Sequence, residues 1–344
     1  MSDSKKILKA GLIGTGSSAT NIAETIASLD IVEMVGIADV NVDGAKSLAE
    51  KYNVEYITKN YEELCKKDNI DFIIISTPHA LHYKMAKCAL ENNKHVLTEK
   101  PITTKISHAE DLIKVAREKK LKLGVHFQCR FFGAVKKAED MINSGVLGKI
   151  LQVNVSVMWH RPHEYYDGSN WKGKWDLEGG SSLINQAIHP LDEMVHLVGE
   201  VKTLFGLMGV KYHNIETEDN TAAAFVFQNG AFGTLQTSTA TKAAFPAKLT
   251  IFGVEGGLEI DGNILTYHKA DGTSEVTDFT AGGQVGSAKD PKLFSLKAHS
   301  ALMEDFCDAI INDRKPTVNG EEGIKSLKVV RAVYESNGEK IIHL

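Results

Sequence analysis

The chain has 344 residues, 43% of them apolar and 24% charged, with a net charge of -5 and no basic tract. Its length suits two domains with their own cores, and its mixed charge argues against nucleic acid or an anionic bilayer as a partner. Cys65, Cys88, Cys129 and Cys307 stand far apart without a CxxC pair, so neither a zinc ribbon nor a disulfide framework is indicated, and a reducing compartment fits. No apolar run is long enough to cross a bilayer, and the start, "MSDSKKILKAGLIG", lacks the apolar region of a signal peptide. The expectation is a cytoplasmic protein.

Up to about Val125, β-rich runs alternate with amphipathic helical stretches: "LKAGLIG", "TNIAETIASL", "VEMVGIAD", "DGAKSLAEKY", "DFIIIST", "LHYKMAKCALENN", "KHVLT", "SHAEDLIKVAREKK" and "LKLGVHF". This rhythm predicts a doubly wound parallel sheet over 1–125, with a Ser107–Glu110 capping box on its last helix. From about Gly148 the strands lengthen. "ILQVNVSVMW" puts Leu151, Val153, Val155, Val157 and Trp159 on one face and Gln152, Asn154 and Ser156 on the other. Further strands run through "TLFGLMGV", "TAAAFVFQNGAFGTLQTST", "AKLTIFG" and "GLEIDGNILTYH", with Asn229-Gly230 and Asp261-Gly262 as hairpin turns. The remainder, 126–344, reads as an α+β domain on a mainly antiparallel, open sheet. Helices near Leu296–Ile311 and Gly323–Glu335 close the chain, and Thr280–Pro291 reads as a mobile surface loop.

The first strand ends in "GLIGTGSSATNI", a GxGxxA turn with Gly14, Gly16 and Ala19. Glycine lets backbone approach a pyrophosphate, which then sits at the positive end of a helix together with Ser17 and Ser18. The next β-run ends in Asp39, placed to accept ribose hydroxyls. Its charge would repel a 2'-phosphate, so NAD is favoured over NADP. Ligands of such sheets lie at the carboxyl ends of the strands. The loops "STPHALH" and "TEKP" therefore add Thr77, Pro78, His82, Glu99 and Lys100 to the cofactor side; His79 and His82 either touch the cofactor or cap the helix near Leu81. Pro101 bars the αR region to Lys100, so this lysine is held extended.

Between Glu164 and Gly199 an aromatic, glycine-rich stretch precedes a helical pattern that spaces Asn185, His189, Asp192 and His196 along one face. Its other residues are largely apolar, so it reads as a buried helix that Pro190 kinks beside His189. Hydride transfer from an alcohol needs a base for the hydroxyl proton and a cation or donor at the oxygen. His189 and Lys100 meet those needs. His160 and His163 lack a carboxylate–histidine spacing, and no metal site is expected.

The glycine turn, Asp39, "STPHALH", "HVLTEKPIT", "GGSSLINQAIH" and the closing "AVYESNGEKIIHL" resemble the Gfo/Idh/MocA oxidoreductases, the glucose-fructose oxidoreductase and inositol dehydrogenase family. The resemblance covers nearly the whole chain. It implies a Rossmann domain for NAD or NADP, and a C-terminal sheet that carries the substrate site and builds dimers or tetramers. It also implies a catalytic lysine in EKP, often beside a cis peptide bond. By the same resemblance His189 is the base and Asn185 joins the catalytic set. Gln128, Trp171 and Trp175 are expected at the cofactor, and Arg130 and Tyr166 with Lys100, Asn185 and His189 at the substrate. A tryptophan here could equally anchor its loop. Inositol dehydrogenases of the family carry aspartate four residues before the histidine, where this chain has Asn185, which weakens that assignment. The wording is closer to sugar and nucleotide-sugar 3-dehydrogenases. The expected activity is NAD-dependent oxidation of a ring carbon, possible at C3, of a sugar or its conjugate. Inositol oxidation, NAD-dependent glycoside cleavage and a non-catalytic regulator are the alternatives.

Overall fold

The computed structural model describes residues 6–280 and 296–344. The strands β1 (Leu8–Ile13), β2 (Val32–Ala38), β3 (Tyr56–Thr58), β4 (Phe72–Ile75), β5 (His95–Thr98) and β6 (Leu123–Val125) alternate with helices. These are α1 (Ser17–Ala27), α2 (Val42–Tyr52), α3 (Tyr61–Cys65), α4 (His82–Glu91) and α5 (Ile106–Glu118). The strands pair in parallel in the order β3-β2-β1-β4-β5-β6. β4 is buried at every position, as expected of a strand covered on both faces. The order reverses between β1 and β4, which places the ligand crevice of a doubly wound sheet at their carboxyl ends.

Asn41 caps α2 by accepting from the Gly44 amide. The capping box expected at Ser107 and Glu110 does not form. α5 starts at Ile106 with Lys105 as its cap residue and no side-chain cap bond, so Ser107 is already inside the helix, where it cannot take the extended cap conformation.

The remaining elements are α6 (Gly133–Asn143), β7 (Ile150–Met158), α7 (His163–Asp167), α8 (Ile188–Val198), β8 (Val201–Gly209), β9 (Asn220–Phe227), β10 (Phe232–Ser238), β11 (Lys248–Gly253), β12 (Gly256–Asp261), β13 (Ile264–Lys269), β14 (Ser274–Asp278), α9 (Leu296–Ile311), α10 (Gly320–Ser336) and β15 (Ile342–His343). The nine strands from β7 on form one sheet in the order β14-β13-β12-β11-β7-β10-β9-β8-β15. β7 and β10 pair in parallel and the other neighbours antiparallel. Along β7 the alternation holds at Val153, Val155 and Val157, which are buried, whereas Leu151 is exposed near the strand's start and Trp159 lies past its end. β14 has no counterpart in the sequence reading because all five of its residues are exposed, leaving no apolar alternation to read.

The chain divides into two compact units, Met1–Gln128 with Leu296–Ile324, and Cys129–Ser295 with Lys325–Leu344. The return of α9 to the first unit had no sequence signal. It packs there with α1, and the ring of Phe306 meets Phe72 of β4 edge-on at 5.5 Å. The segment read as a mobile loop lies, beyond Thr280, outside the described residues.

Candidate active site

In the first unit the β1–α1 turn is built for close approach. Gly14 has φ +96°, and a Cβ there would sit 2.2 Å from the Ser76 carbonyl oxygen, so only glycine fits. α1 begins after Gly16 with no side-chain cap bond and no acidic residue in its first turn. Its opening amides and the exposed Ser17 and Ser18 suit an anion such as a pyrophosphate. Asp39, at the carboxyl end of β2, accepts from the Thr15 amide at 2.6 Å, the Thr15 hydroxyl at 2.7 Å and the Asn41 amide at 2.8 Å. The glycine turn and the ribose-side carboxylate are thus one hydrogen-bonded assembly. NAD fits these residues.

His82 is fully buried at the start of α4. Its Nδ1 lies 2.8 Å from the Pro101 carbonyl oxygen and its Nε2 2.9 Å from that of Thr77. The ring therefore braces the two loops expected at the cofactor against each other. Burial lowers its pKa, and a neutral ring donates to one of those carbonyls at a time. The Lys100-Pro101 peptide is cis.

Beside Lys100 the half-buried Glu99, expected at the cofactor, begins a chain with two buried histidines that the sequence did not announce. Glu99 Oε1 lies 3.0 Å from His126 Nδ1, and His126 Nε2 lies 3.0 Å from His299 Nδ1 on α9. Burial alone would raise the Glu99 carboxyl, yet His126, then Lys100 and His299, hold it down at about 2. Burial, helped by His126, pushes His299 down to about 3.

In the second unit, the stretch read as one helix is two pieces. A π-helical turn spans Ser182–Gln186, and α8 follows from Ile188. Asn185 sits in the π turn, so it does not continue the α-helical stripe of His189, Asp192 and His196. Pro190 falls in the first turn of α8, where a missing amide costs nothing, so it starts the helix rather than kinking it. Asp192 is bidentate with Arg130, at 2.7 and 2.8 Å, both residues buried. His196 lies 3.4 Å from Glu139 on α6 and 3.4 Å from Arg130. These polar groups brace the helix, and the Arg130 fork expected at substrate is engaged by Asp192. His189 is buried.

Tyr166, also expected at substrate, is buried; its hydroxyl donates to Thr239 at 2.9 Å and accepts from Ser181 at 3.0 Å. Trp171 is half-buried, and Trp175, partly exposed, meets the Tyr334 ring edge-on at 5.4 Å. Under the π turn lie two buried carboxylates that sequence reasoning missed. Glu178 Oε1 accepts from Asn185 Nδ2 at 2.6 Å and its Oε2 from the Gly173 amide. Glu218 accepts from the amides of Ser181 and Leu183 and from the Tyr334 hydroxyl. Tyr334 reaches that position over Gly180, where φ is +138° and a Cβ would sit 2.1 Å from its hydroxyl oxygen. Burial is the main force raising each carboxyl, to about 7. For Glu178 the available signal was a glutamate directly before a glycine pair, in "DLEGGSS".

Residues 8–127 match the oxidoreductase family with an NAD-binding Rossmann fold, and residues 135–259 match the GFO/IDH/MocA C-terminal domain. The chain belongs to the GFO/IDH/MocA family, NAD-dependent oxidoreductases that act on CH-OH groups. It is similar to the myo-inositol 2-dehydrogenase of Thermotoga maritima, 24% identical over 97% of both chains. It is also similar to the 1,5-anhydro-D-fructose reductase of Ensifer adhaerens, 25% identical over 95% of both. Among solved structures, the WlbA dehydrogenase from Bordetella pertussis, in complex with NADH and UDP-GlcNAcA, superposes with a TM-score of 0.85 at 26% identity, over 98% of this chain and 99% of that one.

Proposed function

We propose that the protein is a cytoplasmic NAD(H)-dependent dehydrogenase of a sugar, sugar conjugate or nucleotide sugar, acting on a ring CH-OH. The pyrophosphate is assigned to Gly14, Gly16, Ser17, Ser18 and Ala19, and the ribose to Asp39. When bound, NAD supplies the hydride acceptor. His189 takes the hydroxyl proton, the Lys100 ammonium donates to the oxygen as it becomes a carbonyl, and Asn185 orients a neighbouring ring hydroxyl. The observation that carries this reading is Asn185 itself. A carboxamide pinned by a buried carboxylate, four residues before the histidine, is a neutral hydrogen-bonding group suited to a ring hydroxyl. A panel of sugars, inositols and nucleotide sugars, scored by NADH absorbance, tests it. Reduction of NAD by a pyranose or its conjugate is the expected result. NADH binding with no turnover of any sugar compound overturns it.

The same reading includes a homo-oligomer joined through the open face of the second sheet. Phe205, Leu207, Phe232 and Phe252 are exposed there, and Lys248 pairs with Glu259 at 2.8 Å among them. Aromatic area of this kind on a sheet face marks an interaction surface. Light scattering that finds a particle of one chain's mass rules it out.

A further inference from the structure

The buried face of α9 is apolar at Ala298, Leu302, Met303, Phe306, Cys307 and Ala309, and polar only at His299 in its first turn. A polar ring on such a face costs stability unless it is hydrogen-bonded. Its Nδ1 lies 3.0 Å from Nε2 of His126, and the two rings meet edge-on with centroids 4.9 Å apart. His126 is buried where the chain leaves β6, and its amide donates to the Thr98 carbonyl at 2.8 Å. Its Nδ1 stands at ion-pair distance, 3.0 Å, from Glu99 Oε1. The other oxygen of Glu99 accepts from the Lys100 amide at 3.3 Å. A run of close contacts thus leads from α9 to the backbone of Lys100. We propose that His299 is a positioning residue for the reaction: acting through His126, it holds the Glu99 carboxylate where that carboxylate sets the Lys100 peptide. This rests on the reading of Lys100 as the group that meets the reacting oxygen.

The two ring nitrogens of His126 make different contacts, one to each neighbour. A half-turn of that ring would bring carbon to both places, so the bond to His299 selects the orientation in which Nδ1 faces Glu99. The charges agree with this. Glu99, held at about 2, is ionised at neutral pH and accepts from both sides, whereas His299, pushed down to about 3, is neutral there. On the far side of the lysine, His82 Nδ1 lies 2.8 Å from the Pro101 carbonyl oxygen. Histidines therefore bracket Lys100 before and after it in the chain. A misplacement of about 1 Å at a reacting group can cost about 10²-fold in rate, so a brace that touches no substrate still governs turnover.

Three variants separate positioning from packing. His299→Phe keeps a ring of similar shape and removes the nitrogen that meets His126. Its kcat should fall about tenfold or more, with KM for the sugar within about threefold of wild type. His299→Asn puts an amide where Nδ1 stood and should restore kcat to within about threefold. His126→Asn keeps an amide toward Glu99 but drops the link to His299, so it too should lower kcat about tenfold. Adding His299→Phe to His126→Asn should then cost no more than about twofold further, because the link is already cut. NADH binding and the unfolding midpoint are measured on every protein.

Recovery in His299→Asn together with the indifferent double variant supports the proposal. His299→Phe with kcat within about threefold of wild type overturns it. So does a double variant whose losses multiply, the mark of a ring that only packs, and so does His299→Asn as slow as His299→Phe. If His299→Phe fails to fold, His126→Asn decides: a fall of about tenfold supports the proposal, and turnover within about threefold of wild type overturns it. The failure of the underlying reading looks different. A wild-type protein that binds NADH and oxidises no sugar compound removes that reading, whereas an active wild type with an indifferent His299→Phe removes the role of His299 alone.

Discussion

Glu99, half-buried in the first unit, and Glu178, buried in the second, are carboxylates beside a residue proposed for chemistry, and their surroundings treat the charge in opposite ways. Glu99 has His126 at 3.0 Å, with Lys100 next in the chain and His299 beyond, and its pKa is held at about 2. Glu178 has amide donors and a second carboxylate, Glu218, in its vicinity, and burial takes it to about 7. Glu99 is held as a charge, whereas Glu178 is raised toward the neutral form. That difference suits the proposed reaction, in which a cation is wanted at an oxygen losing its proton while neutral groups suffice to hold a neutral ring.

The sharpest way to break this contrast is to remove the two groups proposed for proton and charge. Lys100→Ala and His189→Ala should each lower kcat by about 10² or more, with NAD binding nearly intact. The double variant should lose much less than the product of the single losses. Lys100→Arg should not rescue, because a planar fork cannot replace a compact ammonium at one oxygen. Near-normal steady-state turnover in His189→Ala would reduce that histidine to a core residue.

How much of this was legible depends on the range of the contact. The glycine turn, Asp39 and Lys100 were readable because each sits at the end of a short apolar run, where a parallel sheet leaves its ligand site. His126 and His299 were not, since 173 residues separate partners whose rings meet at 3.0 Å. Asn185 was singled out for the wrong geometry. The spacing of four implied one helical face, and the π turn, which sequence periodicity does not reveal, puts it on separate backbone. The contact of Arg130 with Asp192, 62 residues on, had no signal in the sequence.

A smaller effect sharpens the account of charge in the first unit. Asp39 is locked to the glycine turn by Thr15, while Val40 is exposed and Asn41 is engaged as the α2 cap; neither supplies a cation for a 2'-phosphate. NAD(H) should therefore bind at least about tenfold more tightly than NADP(H), and Asp39→Ala should narrow the gap. Fluorescence titration of both cofactors checks this. Equal affinities in the wild type would mean that Asp39 does not read the ribose.

The smallest effect concerns stability, and its sign follows from the same contrast. Glu218 rises from its ordinary 4.5 to about 7 in the folded chain, so between those values the folded state holds a proton that the unfolded state has lost. Its contribution is fully present below about pH 4.5 and is lost as pH rises through about 7. Glu178 behaves alike, and Glu193, raised by burial and by Asp192 to about 8, extends the window upward. Glu99 has the opposite sign, contributing above its ordinary value and losing that contribution as pH falls toward about 2. Buried His82 and His299 and half-buried His95, whose pKa values burial lowers, oppose the raised carboxyls below their ordinary 6.5, so the whole-protein curve mixes signs. A difference isolates the carboxyl. In Glu218 the Oε1 atom accepts from Ser181, Leu183 and Tyr334, whereas Oε2 meets only the Ser181 amide among the described residues, so Glu218→Gln keeps most of the network without titrating. The wild-type unfolding midpoint, relative to that variant, should drop by roughly 4 °C between about pH 5 and pH 8. Parallel curves would mean that Glu218 stays ionised in the folded chain, its charge held as that of Glu99 is.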